Sequence, residues 1–184
     1  MEFGEEVFLN SYKLWKDCIY HYCAYVELNK NLDHLKGDRE FWVYTCNAHF
    51  QMIIVSWSMI FGANSNETHW KNLRLDENEF REYLLQKLKI SQKTWQRYWE
   101  DMKNFRDKYV AHRSLNSTPT PPFFDNAIKA VLCLESWVRE KLRNNVINGN
   151  IVYINGTQPL TDIMKSSKEE IKRSISLIVN ATGD

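Results

Sequence analysis

The stretch FRDKYVAHRS, residues 105–114, gathers Arg106, Asp107, Lys108, His112 and Arg113 within one short segment. Histidine takes up and releases protons near neutrality, because its ordinary pKa lies there. Arginine stays charged, and its planar fork grips two phosphate oxygens at once. Together they hold what phosphodiester cleavage in RNA requires: a group that moves the proton of the 2′-hydroxyl and a cation that stabilises the phosphorane-like transition state. The plainer reading of the same residues is a helix terminus, where cations favour the last carbonyls. Arg106 would then pair with Asp101 or Asp107, and His112 would cap helix carbonyls.

The spacing constrains any shared site. Arg106 and His112 lie six positions apart, which on a continuous α-helix turns their side chains about 240° away from one another. Either the helix loosens after about Tyr109 and lets His112 swing back, or a second copy of the chain brings its own pair against the first. The turn-rich segment that follows, SLNSTPTPPFF, is compatible with a fraying helix end.

The elements that must position this stretch follow from apolar periodicity. Phe3 to about Leu32 carries Val7, Phe8, Leu14, Trp15, Ile19, Tyr22 and Val26 at helical spacing. Asp38 caps a second helix that runs to Phe61, apolar nearly all round and therefore central, with Gly62 as a left-handed stop. Asp76 with Glu79 reads as a capping box, flanked by Leu75 and Phe80 as a staple, and opens a helix to about Leu88. Ser91 opens the next, whose stripe is Trp95, Tyr98, Trp99, Met102, Phe105 and Tyr109. Thr120 followed by Pro121 predicts a helix over about 122–144. Two Asn-Gly pairs, Asn148-Gly149 and Asn155-Gly156, predict a small β-hairpin before a last helix over about 161–179. The expected fold is an all-α, antiparallel four-to-five-helix bundle over 1–145. The hairpin and final helix of 146–184 pack on it to complete a single domain.

Composition agrees with a globular chain of 184 residues, 43% hydrophobic and 26% charged, with no apolar run long enough to span a membrane and an acidic N-terminus unlike a secretory signal. Cys18, Cys23, Cys46 and Cys133 form no CxxC pair, so reduced thiols and a cytoplasmic location are expected. The net charge of +1 hides an uneven distribution: residues 81–113 carry nine Lys and Arg against four Asp and Glu. A local excess of this sign attracts a phosphate backbone, although basic runs also serve as solvated helix faces.

FRDKYVAHRS resembles the signature of the HEPN superfamily, in which an Arg is followed directly by a polar residue and then, after four to six intervening residues, by a His near the end of a bundle helix. Arg106, Asp107 and His112 match it in order, with five residues between the Arg and the His. The RDKxxAH neighbourhood resembles in particular HEPN-like proteins linked to phage abortive infection. The preceding helices and the connection WSMIFGANSNETHWK, 57–71, are compatible with such proteins. The likeness covers roughly 1–145 as architecture and about ten residues as motif. It implies a homodimer with two Arg/His pairs facing each other across a cleft, and metal-independent RNA cleavage to a 2′,3′-cyclic phosphate and a 5′-hydroxyl. No cofactor is implied; the setting is defence or growth control, with a cognate antitoxin or regulatory protein as a further partner. On this reading Arg106 holds the phosphate, His112 transfers a proton or positions the 2′-hydroxyl, and Asp107 orients one of them. Lys108 and Arg113 add backbone contacts. Relatives that are not nucleases bind nucleotides or partner proteins through similar helices, which is the alternative.

Other constellations are weaker. Cys18 and His21 could share a helix face as metal ligands, but Cys23 lies elsewhere and no second ligand pair has zinc spacing. His49, amid NAHFQMII, reads as a hydrogen-bonded core histidine, and His69 beside Trp70 as a surface or interface pair. Trp95, Tyr98 and Trp99, interleaved with Lys93, Arg97 and Lys103, could stack bases, though their spacing suits core packing better. Glycine-rich phosphate loops and nucleophile elbows are absent, which argues against a P-loop NTPase or an α/β-hydrolase.

Overall fold

The computed structural model describes residues 5–111, 120–144 and 157–180. In chain order it contains α1 (Glu5–Asn31), a 3₁₀ turn (Leu32–His34), α2 (Arg39–Phe61), a second 3₁₀ turn (Trp70–Leu73), α3 (Glu77–Leu88) and α4 (Gln92–Phe105). A π-helical segment, Arg106–Ala111, extends α4, and α5 (Asp125–Asn144) and α6 (Leu160–Asn180) follow. All regular elements among the described residues are helical. The hairpin expected from the two Asn-Gly pairs lies outside them, as do His112 and Arg113.

Helix starts follow local chemistry. The Asp38 carboxylate accepts from the Phe41 N–H at 2.9 Å, and Asp76 accepts from both Asn78 and Glu79 N–H at 2.9 Å. The Ser91 hydroxyl accepts from the Thr94 N–H at 3.2 Å. Glu79 departs from the capping-box expectation, because its carboxylate reaches across to Lys141 on α5. The fifth helix begins at Asp125 and not near 122. Pro122 disfavours the helical conformation of the residue before it, and Phe124 supplies the carbonyl that the Ile128 N–H bonds at 2.9 Å. Gly62 is also not left-handed, at φ −81° and ψ −112°. Glycine is required there for a different reason: a Cβ would lie 2.3 Å from the Ser58 carbonyl oxygen, which the Gly62 N–H approaches to bond.

The contacts define the helix directions. His21 meets His49 and the Cys46 thiol donates to the Tyr25 carbonyl, so α1 and α2 are antiparallel. Trp57 touches Trp95 while Phe50 touches Phe105, which makes α2 and α4 antiparallel. Phe80 packs on Trp137 and Glu79 pairs with Lys141, placing α3 on α5. Lys89, left-handed at φ 55°, ends α3, and Ser91 starts α4 two residues later. The two helices thus form one bent lane: α3 serves α5 and α4 serves α2. The final helix runs with α1, since Tyr12 bonds Gln158 just before α6 and Cys23 donates toward Met164 within it.

A continuous core fills the centre, with Trp15 and Trp57 wholly buried and Trp137 nearly so. One charged pair lies inside it. Glu135 and Arg139, spaced i, i+4 on α5, pair with side chains only 2% and 7% exposed. Arg139 also donates to the Gln158 carbonyl at 2.7 Å and the Thr157 hydroxyl at 3.1 Å, and Glu135 accepts from the Leu160 N–H at 3.3 Å. This network fastens the first turn of α6 to α5. No helix among the described residues is long and apolar enough to cross a membrane.

Candidate functional site

The last turns of α4 bury Met102 and Phe105 and leave Arg106 and Asp107 partly exposed. Phe105 packs edge-on against Phe50 of α2, with ring centroids 5.7 Å apart, and Tyr109 lies over Phe105 at 5.0 Å. These contacts pin the helix end against α2 while its winding changes. From Arg106 to Ala111 the backbone is π-helical, so each residue turns through a smaller angle than in α4. The helix stays wound past Tyr109 to Ala111, with its change of winding at Arg106, and the swing of His112 that a loosened end would allow lies outside the described residues. A π segment re-aims the residues that follow it, and such segments are frequent at functional sites.

Within this segment the Arg106 guanidinium donates to the neighbouring Asp107 carboxylate, from Nε at 2.8 Å and from Nη2 at 2.5 Å. The two side chains are 28% and 41% exposed, so the fork is held in one orientation at the surface. Two of its donors are taken by one oxygen of Asp107. Asp101, the other acid considered as a partner, is exposed and does not pair with Arg106. Lys108 is exposed beside the pair. Arg106, Asp107 and Lys108 thus form one surface group, and the placement of His112 and Arg113 relative to it lies outside the described residues.

The other candidates have different environments. His21 turns toward α2, where its Nδ1 meets the Nδ1 of His49 at 2.8 Å; both rings are half-buried, and burial lowers both pKa values. One ring must donate and the other accept, so the pair is a hydrogen-bonded clasp between helices and His49 is less deep than expected. Cys18 and Cys23 sink into the core, where burial pushes their thiols up to about 12 and about 11. His69 is not a surface residue: it is 2% exposed, and its Nδ1 accepts from the Lys71 N–H at 3.3 Å. Burial, with Lys71 adding to it, lowers its pKa to about 4, and its ring also meets the Phe61 carbonyl.

The aromatic run on α4 packs against the core while staying partly exposed: Tyr98 and Trp95 both contact Trp57, and Tyr98 donates to the Phe123 carbonyl at 2.7 Å. Trp95 and Trp99 also line a cavity of about 610 Å³ inside the α3–α4 bend, whose walls do not include Arg106. A smaller cavity, about 250 Å³, lies beside the π segment between Tyr109, Phe50 and Asn29, and carries no cation in its lining.

Sequence reasoning missed the Glu135–Arg139 network and the α3–α4 cavity. The first had a legible signal, since both charges interrupt the apolar stripe formed by Val131, Leu134, Val138 and Leu142. The second had none, because it depends on how two helices bend around a connection. Comparison with protein-family models, with curated proteins and with solved structures finds no match to this chain.

Proposed function

We propose that this protein is a metal-independent RNA endonuclease of the HEPN type, acting in defence or growth control, with Arg106 and His112 meeting their counterparts across a homodimer cleft. The observation that carries the reading is the Arg106 fork, oriented by Asp107 at the point where α4 widens into a π segment. A cation fixed in advance costs no reorganisation when charge develops on phosphorus.

In the reaction, the 2′-oxygen attacks the adjacent phosphorus as His112 takes or guides its proton. The P–O5′ bond breaks, the departing 5′-oxygen is protonated, and the products are a 2′,3′-cyclic phosphate and a 5′-hydroxyl. Arg106 stabilises the negative charge on the non-bridging oxygens, while Lys108 and Arg113 hold flanking phosphates.

A mixed RNA substrate incubated with the wild type, Arg106→Ala and His112→Ala, with and without EDTA, tests this. Cleavage should persist in EDTA and fall by about 10²-fold or more in both variants. Cleavage that needs a divalent metal, or that survives both substitutions, sinks the mechanism. A strict monomer in light scattering weighs against the shared cleft.

A second reading has its own support. Asp107 occupies two donors of Arg106 and offsets its charge, an arrangement that also serves a group that binds without cutting. The same basic patch would then hold a nucleotide or a partner protein without cutting RNA. Saturable nucleotide binding with intact RNA would favour it.

A further inference from the structure

The cavity inside the α3–α4 bend has the size of a small-ligand site, about 610 Å³. Trp95 and Trp99 line it with partly exposed indoles from α4, and Trp70, buried on Phe80 at 4.7 Å, lines it as well. The rings are fixed in place. Trp99 donates from Nε1 to the Phe61 carbonyl at 2.5 Å, Trp95 leans on Phe61 and Trp57, and the Arg81 guanidinium lies 5.6 Å over Trp70.

Between these rings stand amides. Asn64, Asn78, Gln92 and Gln96 line the cavity, each carrying a donor and an acceptor on one side chain. Gln96 is held by Glu100 at 2.8 Å, and the Asn78 carbonyl accepts from Arg81 at 3.2 Å. The amides of Asn64 and Gln92 have no hydrogen-bond partner among the described residues. The charges nearly cancel: the lining cations Lys71 and Arg81 both pair with Glu77, just outside the lining, at 3.1 Å and 2.8 Å, and Glu82 is the acid within it. Flat aromatic walls with amide edges and little net charge match a planar, uncharged ring with donors and acceptors on its rim. A nucleobase is such a ring.

The position of the cavity on α4 links it to the basic end of the same helix. Trp95, Trp99 and Arg106 recur at four and seven positions, and so fall within about 40° of one stripe. Lys103 stands between them, its ammonium 5.4 Å over the Trp99 ring. From Trp99 to Arg106 the helix rises only about 10 Å, a span that a short run of single-stranded nucleic acid covers.

We propose that the α3–α4 cavity seats one unpaired base, stacked on Trp95 or Trp99 and read at its edge by Gln92 and Gln96, and that the base belongs to the RNA strand whose phosphate Arg106 holds. The second clause rests on the function proposed above, and the first does not. The cavity is then the specificity subsite of the nuclease.

Two measurements test it. In the first, tryptophan fluorescence is titrated with nucleoside monophosphates and with ribose 5-phosphate, on the wild type, Gln92→Leu/Gln96→Leu and a remote control, Lys172→Ala. Monophosphates should quench saturably and ribose 5-phosphate should not, with affinity at least tenfold weaker in the double variant and unchanged in the control. Equal quenching by ribose 5-phosphate, or equal monophosphate affinity in the double variant, overturns the base pocket. Both altered glutamines are exposed, and matching thermal melts separate lost binding from lost folding. In the second, anisotropy follows a single-stranded 2′-O-methyl oligonucleotide, which cannot be cut by 2′-hydroxyl attack. Weaker binding in both the double variant and Arg106→Ala places base and phosphate on one strand. Loss in the double variant alone upholds the pocket and refutes the phosphate role of Arg106. Retention in the double variant, with monophosphate binding lost, assigns the pocket to a free nucleotide and overturns the shared strand.

Discussion

Among the Arg–carboxylate pairs of the described residues, Glu135–Arg139 and Arg106–Asp107 differ in almost everything. Glu135 and Arg139 are buried on α5, and both reach the segment that leads into α6. Arg106 and Asp107 are adjacent in the chain, partly exposed, and bonded in the structure to one another. In the first pair each charge is surrounded by partners that need it. In the second, the surroundings need neither charge, so the fold would survive without them. A charge the fold does not use is one that a ligand can use. That difference assigns the first pair to architecture and leaves the second free for the role proposed for it.

Breaking the buried pair should produce the largest effect. Glu135→Ala or Arg139→Ala leaves an uncompensated buried charge and detaches the start of α6, for a loss of about 3–5 kcal/mol. Urea unfolding measures it. Replacing both together, as Glu135→Leu with Arg139→Met, should cost less than either single change, because no orphan charge remains. A single-variant loss under about 1 kcal/mol would mean that water reaches the pair and that the contrast is false.

Arg106→Ala should show the opposite profile. Stability should change by about 0.5 kcal/mol or less, as for a surface site, while RNA cleavage falls by about 10²–10³-fold, as when a transition-state donor is removed. A melt and a single-turnover assay on one preparation check both. A variant that loses stability and activity in parallel would make Arg106 another structural arginine.

Much of this architecture was legible because it is local. Asp38, Asp76 and Ser91 cap as their types and spacing dictate, and the apolar stripes of α1 and α6 carry their own period. Errors arose where backbone geometry, and not residue type alone, decides the outcome. Gly62 is demanded by the approach of the Ser58 carbonyl, and the start of α5 by the proline pair together with the Phe124 carbonyl. The motif of Arg106, Asp107 and His112 was legible as residue types and order. Its π winding was not, because no residue in RDKYVA has a preference that distinguishes π from α.

His69 extends the contrast to titration. Like Glu135 and Arg139 it is committed to the fold, its Nδ1 accepting from the Lys71 N–H beneath the end of α2. Its folded pKa of about 4 lies below the ordinary value of 6.5. Below pH 6.5 the unfolded chain takes up a proton that the folded ring refuses, so stability is lost as pH falls toward 4, by about 1.4 kcal/mol per unit at most. The half-buried His21–His49 pair, also lowered, contributes in the same direction. His69→Gln, which keeps an acceptor, should flatten the slope of urea midpoint against pH between 6.5 and 4. An unchanged slope would show that the ring is already solvated in the fold.

The smallest effect on stability, and the most discriminating one, belongs to Asp107→Asn. Asp107 is 41% exposed, and exposed ion pairs contribute about 0–1 kcal/mol, so the melting temperature should barely move. What changes is the freedom and charge of Arg106. If Asp107 orients the fork for catalysis, its loss lets the guanidinium wander and RNA cleavage should drop about tenfold, with little change in RNA affinity. If Asp107 instead neutralises the fork in a binding module, its loss uncovers a cation. RNA or nucleotide affinity should then rise, and its salt dependence should steepen by about one phosphate contact. Cleavage rate and salt-dependent anisotropy on the one variant therefore separate an oriented arginine from a silenced one.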